Sequence, residues 1–120
     1  MASILVHVTC GPNDPSRAAL AFLVARTAAE EGHTVSMFLA ADAVQLVRDS
    51  TVDALEGLGT GRLRDHVDVL VGAGTRIYLS GQSSKARGLE PGRDTTVPVE
   101  LAPPARLVQL LLEHDRTLTY

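Results

Sequence analysis

The chain has 120 residues, 45% of them hydrophobic (mostly Ala, Val and Leu), only four aromatic residues, no tryptophan and a formal net charge of −3. A disordered chain is excluded, and acidic and basic residues are too evenly mixed to form a nucleic-acid-binding face. No apolar run reaches membrane-spanning length, and no charged stretch leads into an apolar signal core, so no membrane partner is expected. The single cysteine, Cys10, excludes an internal disulfide and a cysteine-cluster metal site, and it fits a reducing compartment, so a cytoplasmic location is expected. One domain over residues 1–120 is the expectation at this length.

Ser3 to Thr9 is a short apolar run with β-branched residues, closed by Cys10-Gly11-Pro12, and it predicts a buried first strand. His7 lies inside it and is expected to be a satisfied core or interface group. Asp14-Pro15 predicts a helix N-cap followed by proline in the first turn. The helix is expected to run to about Glu31, to bury Leu20, Leu23, Val24 and Thr27, and to stop at Gly32. His33 to Leu39 predicts the second strand. Asp42 to about Arg48 predicts a short helix with Val44 and Val47 inward.

Thr51 to Leu55 reads as strand or loop, and the glycines at 57, 59 and 61 mark a flexible connection. From Arg62 the pattern is helical again, with Leu63, Val67, Leu70 and Val71 on one side. Arg76 to Ser80 predicts a strand. Glu90 to Thr96 is a polar, turn-rich excursion, followed by a short Val97-Pro98-Val99 segment. Pro103-Pro104 opens a last helix with Leu107, Leu111 and His114 on one face. Thr117 to Tyr120 closes as an edge strand. Strands alternating with helices predict an α/β fold of three layers, a mostly parallel sheet flanked by helices.

Arg76 to Leu89 carries the strongest signal. Its strand breaks at Ser80-Gly81 and leads into Ser83-Ser84-Lys85-Ala86-Arg87-Gly88. A serine N-cap, a helical turn and a terminating glycine are expected there, with Lys85, the only lysine, at the helix N-terminus. A strand end, small residues, a basic residue and then Arg-Gly resemble the DsrE/DsrF-like family, which includes the TusD-type sulfur relay proteins. Gly11 to Arg17 is similar to the first loop of that family. The resemblance implies a flavodoxin-like sheet and a homotrimer or homohexamer, with paralogous DsrE-like subunits or a sulfur-carrier protein as possible partners. It also implies a nucleophilic cysteine eight positions before the glycine of Arg-Gly; counting back from Gly88 reaches Ser80.

A serine hydroxyl cannot carry a persulfide, and no histidine lies near it in sequence, so Ser80 is read as a turn or ligand-contacting residue. Cys10 is read first as a packing residue, with a displaced sulfur-accepting thiol as the alternative. Strand ends facing helix N-termini suit a small anion, and the expected binding residues are Asn13, Arg17, Ser80, Gly81, Ser83, Ser84, Lys85 and Arg87. Neither a P-loop nor a dinucleotide fingerprint is present. The four histidines have no metal-ligand spacing, and no metal or cofactor is expected. The expected function is non-catalytic binding of a small anion or a partner protein. Two alternatives are sulfur transfer at Cys10 and a supporting role beside cysteine-bearing subunits.

Overall fold

The computed structural model describes residues 1–120. Its main sheet has five strands in the order β6-β5-β2-β1-β7, all parallel. These are β1 (Ser3–Val8), β2 (Thr34–Leu39), β5 (Arg76–Ser80), β6 (Glu100–Ala102) and β7 (Arg116–Thr119). A two-residue hairpin, β3 (Glu56–Gly57) with β4 (Gly61–Arg62), stands apart from the sheet. The helices are α1 (Pro15–Glu30), α2 (Asp49–Ala54), α3 (Leu63–Gly72), α4 (Gly81–Ala86) and α5 (Pro104–Glu113), with a 3₁₀ helix at Ala41–Val47. The three-layer α/β expectation holds.

The register puts Val6, Met37, Ile77 and their neighbours two residues on upon one face of the sheet. Leu5, Phe38 and Tyr78 lie on the other. The first face joins α1, α2, α3 and the 3₁₀ helix in a cluster of 23 buried residues, against five on the second face. The second face is therefore thinly covered, by α5 alone through Leu110 and the flanking Leu107. His7 lies on that side, edge-on to Phe38, and its Nε2 is buried without a partner, so it is not the satisfied group expected. Burial holds its imidazole below the ordinary pKa.

Several expected faces are rotated. In α1 the buried residues are Ala18, Ala19, Ala21, Phe22 and Ala25, while Leu20 and Thr27 are exposed. Alanines let the helix axis lie close to the sheet, and a reading weighted towards large apolar residues picks the flank instead. In α3, His66 joins Leu63, Val67 and Leu70 inside, and Val71 is exposed. His66 is held by Thr60 O at 2.7 Å and Arg26 Nη1 at 3.5 Å, which satisfies both ring nitrogens. In α5 only Leu110 is buried, while Leu111 is exposed.

The expected strand or loop at Thr51 to Leu55 is α2, closed by the Leu55 amide donating to Thr51 O. Asp14 occupies the N-cap position of α1 but makes no side-chain cap bond; its amide donates to Gly11 O. Gly32 ends α1 with φ +90°, as expected of that turn.

The polar excursion is tied down by carboxylates. Asp49 accepts from the Thr96 amide at 2.7 Å and its hydroxyl at 3.0 Å. Asp94 accepts from Arg93 and from the Glu90 amide at 2.8 Å, and it faces Arg48 at 3.6 Å. Arg93, then the Glu90 amide and the charge of Arg48, pull the Asp94 pKa from 3.8 down to about 2. A depressed carboxylate pKa stabilises the fold above the unfolded value and loses that contribution as the pH falls through the folded one. The stability of Asp94→Asn should therefore change less than that of wild type between about pH 4 and pH 2 in urea titrations. Parallel curves for the two proteins over that window would show that this carboxylate does not hold the excursion.

Candidate functional site

All five main strands run the same way, so the loops after β1, β2 and β5 emerge on one edge. Ser80 ends β5, and α4 begins at the next residue. The Ser80 hydroxyl accepts from the Ser83 amide at 3.2 Å and serves as the N-cap. The helix thus starts earlier than expected, and Lys85 sits in its last turn instead of at its N-terminus. Gly81 is half-buried and Lys85 exposed, whereas Ser84 is buried with its hydroxyl unpartnered inside the protein.

Between the β1 and β5 loops stands the turn that follows β2. Ala41 has φ +53°, a left-handed conformation costly for a residue with a Cβ. Its amide donates to the Ser83 hydroxyl at 2.9 Å, which fixes the turn against α4. Asp42, next in line, accepts from Arg87 Nε at 3.1 Å and Nη2 at 2.8 Å. Arg87 also donates to Ser83 O at 3.2 Å. Gly11 packs so closely beneath this turn that a Cβ there would lie 2.6 Å from the Cβ of Asp42. The Ala41–Asp42 turn therefore stands between the two loops and touches both.

Cys10, half-buried, closes β1 on the same edge, and Asn13 and Arg17 are exposed just beyond it. Burial raises the thiol pKa above its ordinary 9.0, and Arg17 opposes that rise through its charge. Arg17 and Lys85 form no ion pair, so the edge carries two free cations while Arg87 is neutralised by Asp42. Recesses flank the edge on both sides. One, of about 410 Å³, lies between Pro12, Pro15 and α2; the other, of about 320 Å³, lies between Gly81, Gln82 and the Pro103–Pro104 turn. No group of three or more His, Cys, Asp or Glu side chains converges anywhere in the chain.

Reading the sequence missed Ala41 and Asp42. Asp42 lies 45 residues from Arg87, and only the adjacency of β2 and β5 joins them. Nothing local in either segment signals the pair.

An all-parallel five-stranded sheet in the order β6-β5-β2-β1-β7 with helices on both sides, and a capped small-residue turn at the carboxyl end of β5, defines a small three-layer α/β protein. The chain belongs to the DsrE/DsrF-like family, whose sequence profile matches residues 2–120. Among solved structures it is similar to the ychN protein from E. coli, at 21% identity, a TM-score of 0.81 and full coverage of both chains. It is similar to MTH1491 from Methanobacterium thermoautotrophicum at 17% identity, TM-score 0.75, again with full coverage of both. BT1422 from Bacteroides thetaiotaomicron aligns at 12% identity and TM-score 0.68, over 97% of this chain and 94% of its own. None of the curated proteins matches.

A raised thiol pKa keeps Cys10 protonated at neutral pH, and the thiolate is the nucleophile. The native protein binds that proton more tightly than the unfolded chain. The associated stability is present below the unfolded pKa and is lost as the pH rises through the folded one. Alkylation of Cys10 by iodoacetamide should have its rate midpoint above pH 9.0 in the native protein and return to the ordinary value in urea. A native midpoint below the unfolded one would mark Cys10 as an activated thiol.

Proposed function

We propose that this chain is a non-catalytic member of its family that binds a small anion, or the anionic surface of a partner protein, at the carboxyl edge of the sheet. The observation that carries this reading is the division of charge at that edge. Asp42 neutralises Arg87, whereas Arg17 and Lys85 form no ion pair. The Ser83 hydroxyl accepts from Ala41 and keeps its own proton for a ligand. Ser80 is engaged as a helix cap, a structural task compatible with the absence of a thiol there. The single free cysteine suits a cytoplasmic setting.

Both free cations are exposed, so each contributes on the order of 0.5 kcal/mol to holding an anion. Titration calorimetry with sulfate at low salt should show binding that weakens several-fold in Arg17→Ala/Lys85→Ala. Unchanged affinity in the double variant would remove this edge as the anion site.

Sulfur transfer at Cys10, alone or beside cysteine-bearing paralogous subunits, is the second reading. It rests on the charge of Arg17, which draws the thiol pKa down against burial and the charge of Asp14. Incubation with a persulfidated donor and intact-mass measurement separates the two readings. On the first, wild type gains no sulfur, whereas Ser80→Cys in a Cys10→Ala background does, because a strand end capping a helix favours a thiolate. Ready uptake by wild type that disappears in Cys10→Ala would establish the second.

Self-assembly into a trimer or hexamer completes the proposal. The outer side of α5 leaves Val108 54%, Leu111 42% and Leu112 82% exposed. An apolar stripe facing outward on the one helix that covers the thin face of the sheet is the surface a further copy would bury. Light scattering should give a mass of at least three chains for wild type and a smaller one for Leu112→Glu. A monomeric wild type would refute the assembly.

A further inference from the structure

A second system of recesses lies at the opposite end of the sheet. Three cavities of about 270, 260 and 270 Å³ surround the start of β5 and share walls. Arg76 and Tyr78 line two of them, and Thr34, Val35 and Gly74 join the third to its neighbour. Arg76 opens β5 and Ser80 closes it, so at about 3.3 Å per residue this region is some 13 Å from the carboxyl edge.

Arg106 is engaged within the fold, donating to Gln109 Oε1 at 3.3 Å and pairing with Glu113 at 3.7 Å, whereas the other polar groups here are only partly used. Tyr78 is 1% exposed, and its hydroxyl accepts from Arg106 Nη2 at 3.1 Å, while its own proton goes to no protein acceptor. Arg106 also lies over the Tyr78 ring at 5.3 Å, which fixes the guanidinium plane. Arg76 is exposed and makes neither a hydrogen bond nor an ion pair within the chain. Ser36, buried at 7% exposure, lines the same cavity with a hydroxyl that makes no hydrogen bond. The remaining wall is apolar, from Val35 and Leu110.

We infer that this recess binds a small organic monocarboxylate. The unpaired guanidinium of Arg76 and the phenolic O–H of Tyr78, held in place by Arg106, supply directed donors of the kind a carboxylate accepts. The apolar wall suits a short hydrocarbon or aromatic body. Glu100 lines the cavity on one side of Arg76, and Glu113 the other, 3.7 Å from Arg106. Their two negative charges formally balance Arg76 and Arg106. A singly charged ligand gains the donors without the added repulsion that a dianion such as phosphate would meet.

The test is a titration of the 15N-labelled protein with sodium benzoate, run beside inorganic phosphate and followed by amide shifts. Benzoate should give saturable shifts at residues 34–36, 74–78 and 106–114, and phosphate weaker ones there. Arg76→Leu should weaken benzoate binding by about fivefold, allowing for exposure of that arginine. Tyr78→Phe keeps the ring and should weaken it by about threefold, the loss of one neutral hydrogen bond. Arg62→Ala, in the β3–β4 hairpin and outside both sites, should leave it unchanged. The inference is overturned by any of three results. These are no saturation at tens of millimolar benzoate, benzoate affinity unchanged in both Arg76→Leu and Tyr78→Phe, and tighter binding of phosphate than of benzoate.

Discussion

The parallel pairing of β2 between β1 and β5 is the constraint on which the rest of this molecule depends. Ser36 to Leu39 are bonded on both sides, to Leu5 through Val8 and to Arg76 through Leu79. That register brings three loops to one edge and places the end of β2 between the other two. A strand so placed has no free side, and the chain leaves it by a turn. Ala41 supplies that turn in a left-handed conformation, at a cost of about 1–2 kcal/mol. The bond from its amide to Ser83 and the ion pair between Asp42 and Arg87 offset the strain.

The same turn determines what chemistry the edge can offer. Asp42 draws Arg87 into the structure, so the most suggestive cation of the Arg-Gly stretch is a strut. The Ser80 hydroxyl caps α4, a task that fixes its lone pairs towards the Ser83 amide. Arg17 and Lys85 remain as exposed charges on either side. On the reading proposed above, such an edge holds an anion loosely or meets an anionic partner surface.

Coverage of the sheet is unequal, and that inequality shapes the opposite side. Alanines in α1 bring the helix close to one face and let α2 and α3 close around it. The other face has α5 alone, with Phe38 and Tyr78 beneath it and apolar residues on its outer side. Unpartnered groups gather there: the buried Nε2 of His7, the hydroxyl proton of Tyr78 and the guanidinium of Arg76. Polar groups without partners near an open recess mark surface that something outside the fold can complete.

The positions of β1, β2 and β5 were legible because central strands of a parallel sheet demand continuous apolar runs, as in Ser3 to Val8 and Thr34 to Leu39. The short edge strand β6 at Glu100–Ala102 carries no such run and was missed. Gly32 and the Pro15 turn were legible because backbone conformation there depends on single residues. The strand end at Ser80, and the Arg-Gly wording that carries the resemblance to the family, are also local. Which side of each helix faces the sheet was decided by tertiary packing. Alanine spacing in α1 and the single buried Leu110 of α5 reflect distances between layers, and apolar periodicity does not encode those distances. The partners of Arg87, Tyr78 and Ala41 were likewise set by the fold. Each is 28 to 45 residues away along the chain, and only the strand order brings them within hydrogen-bonding reach.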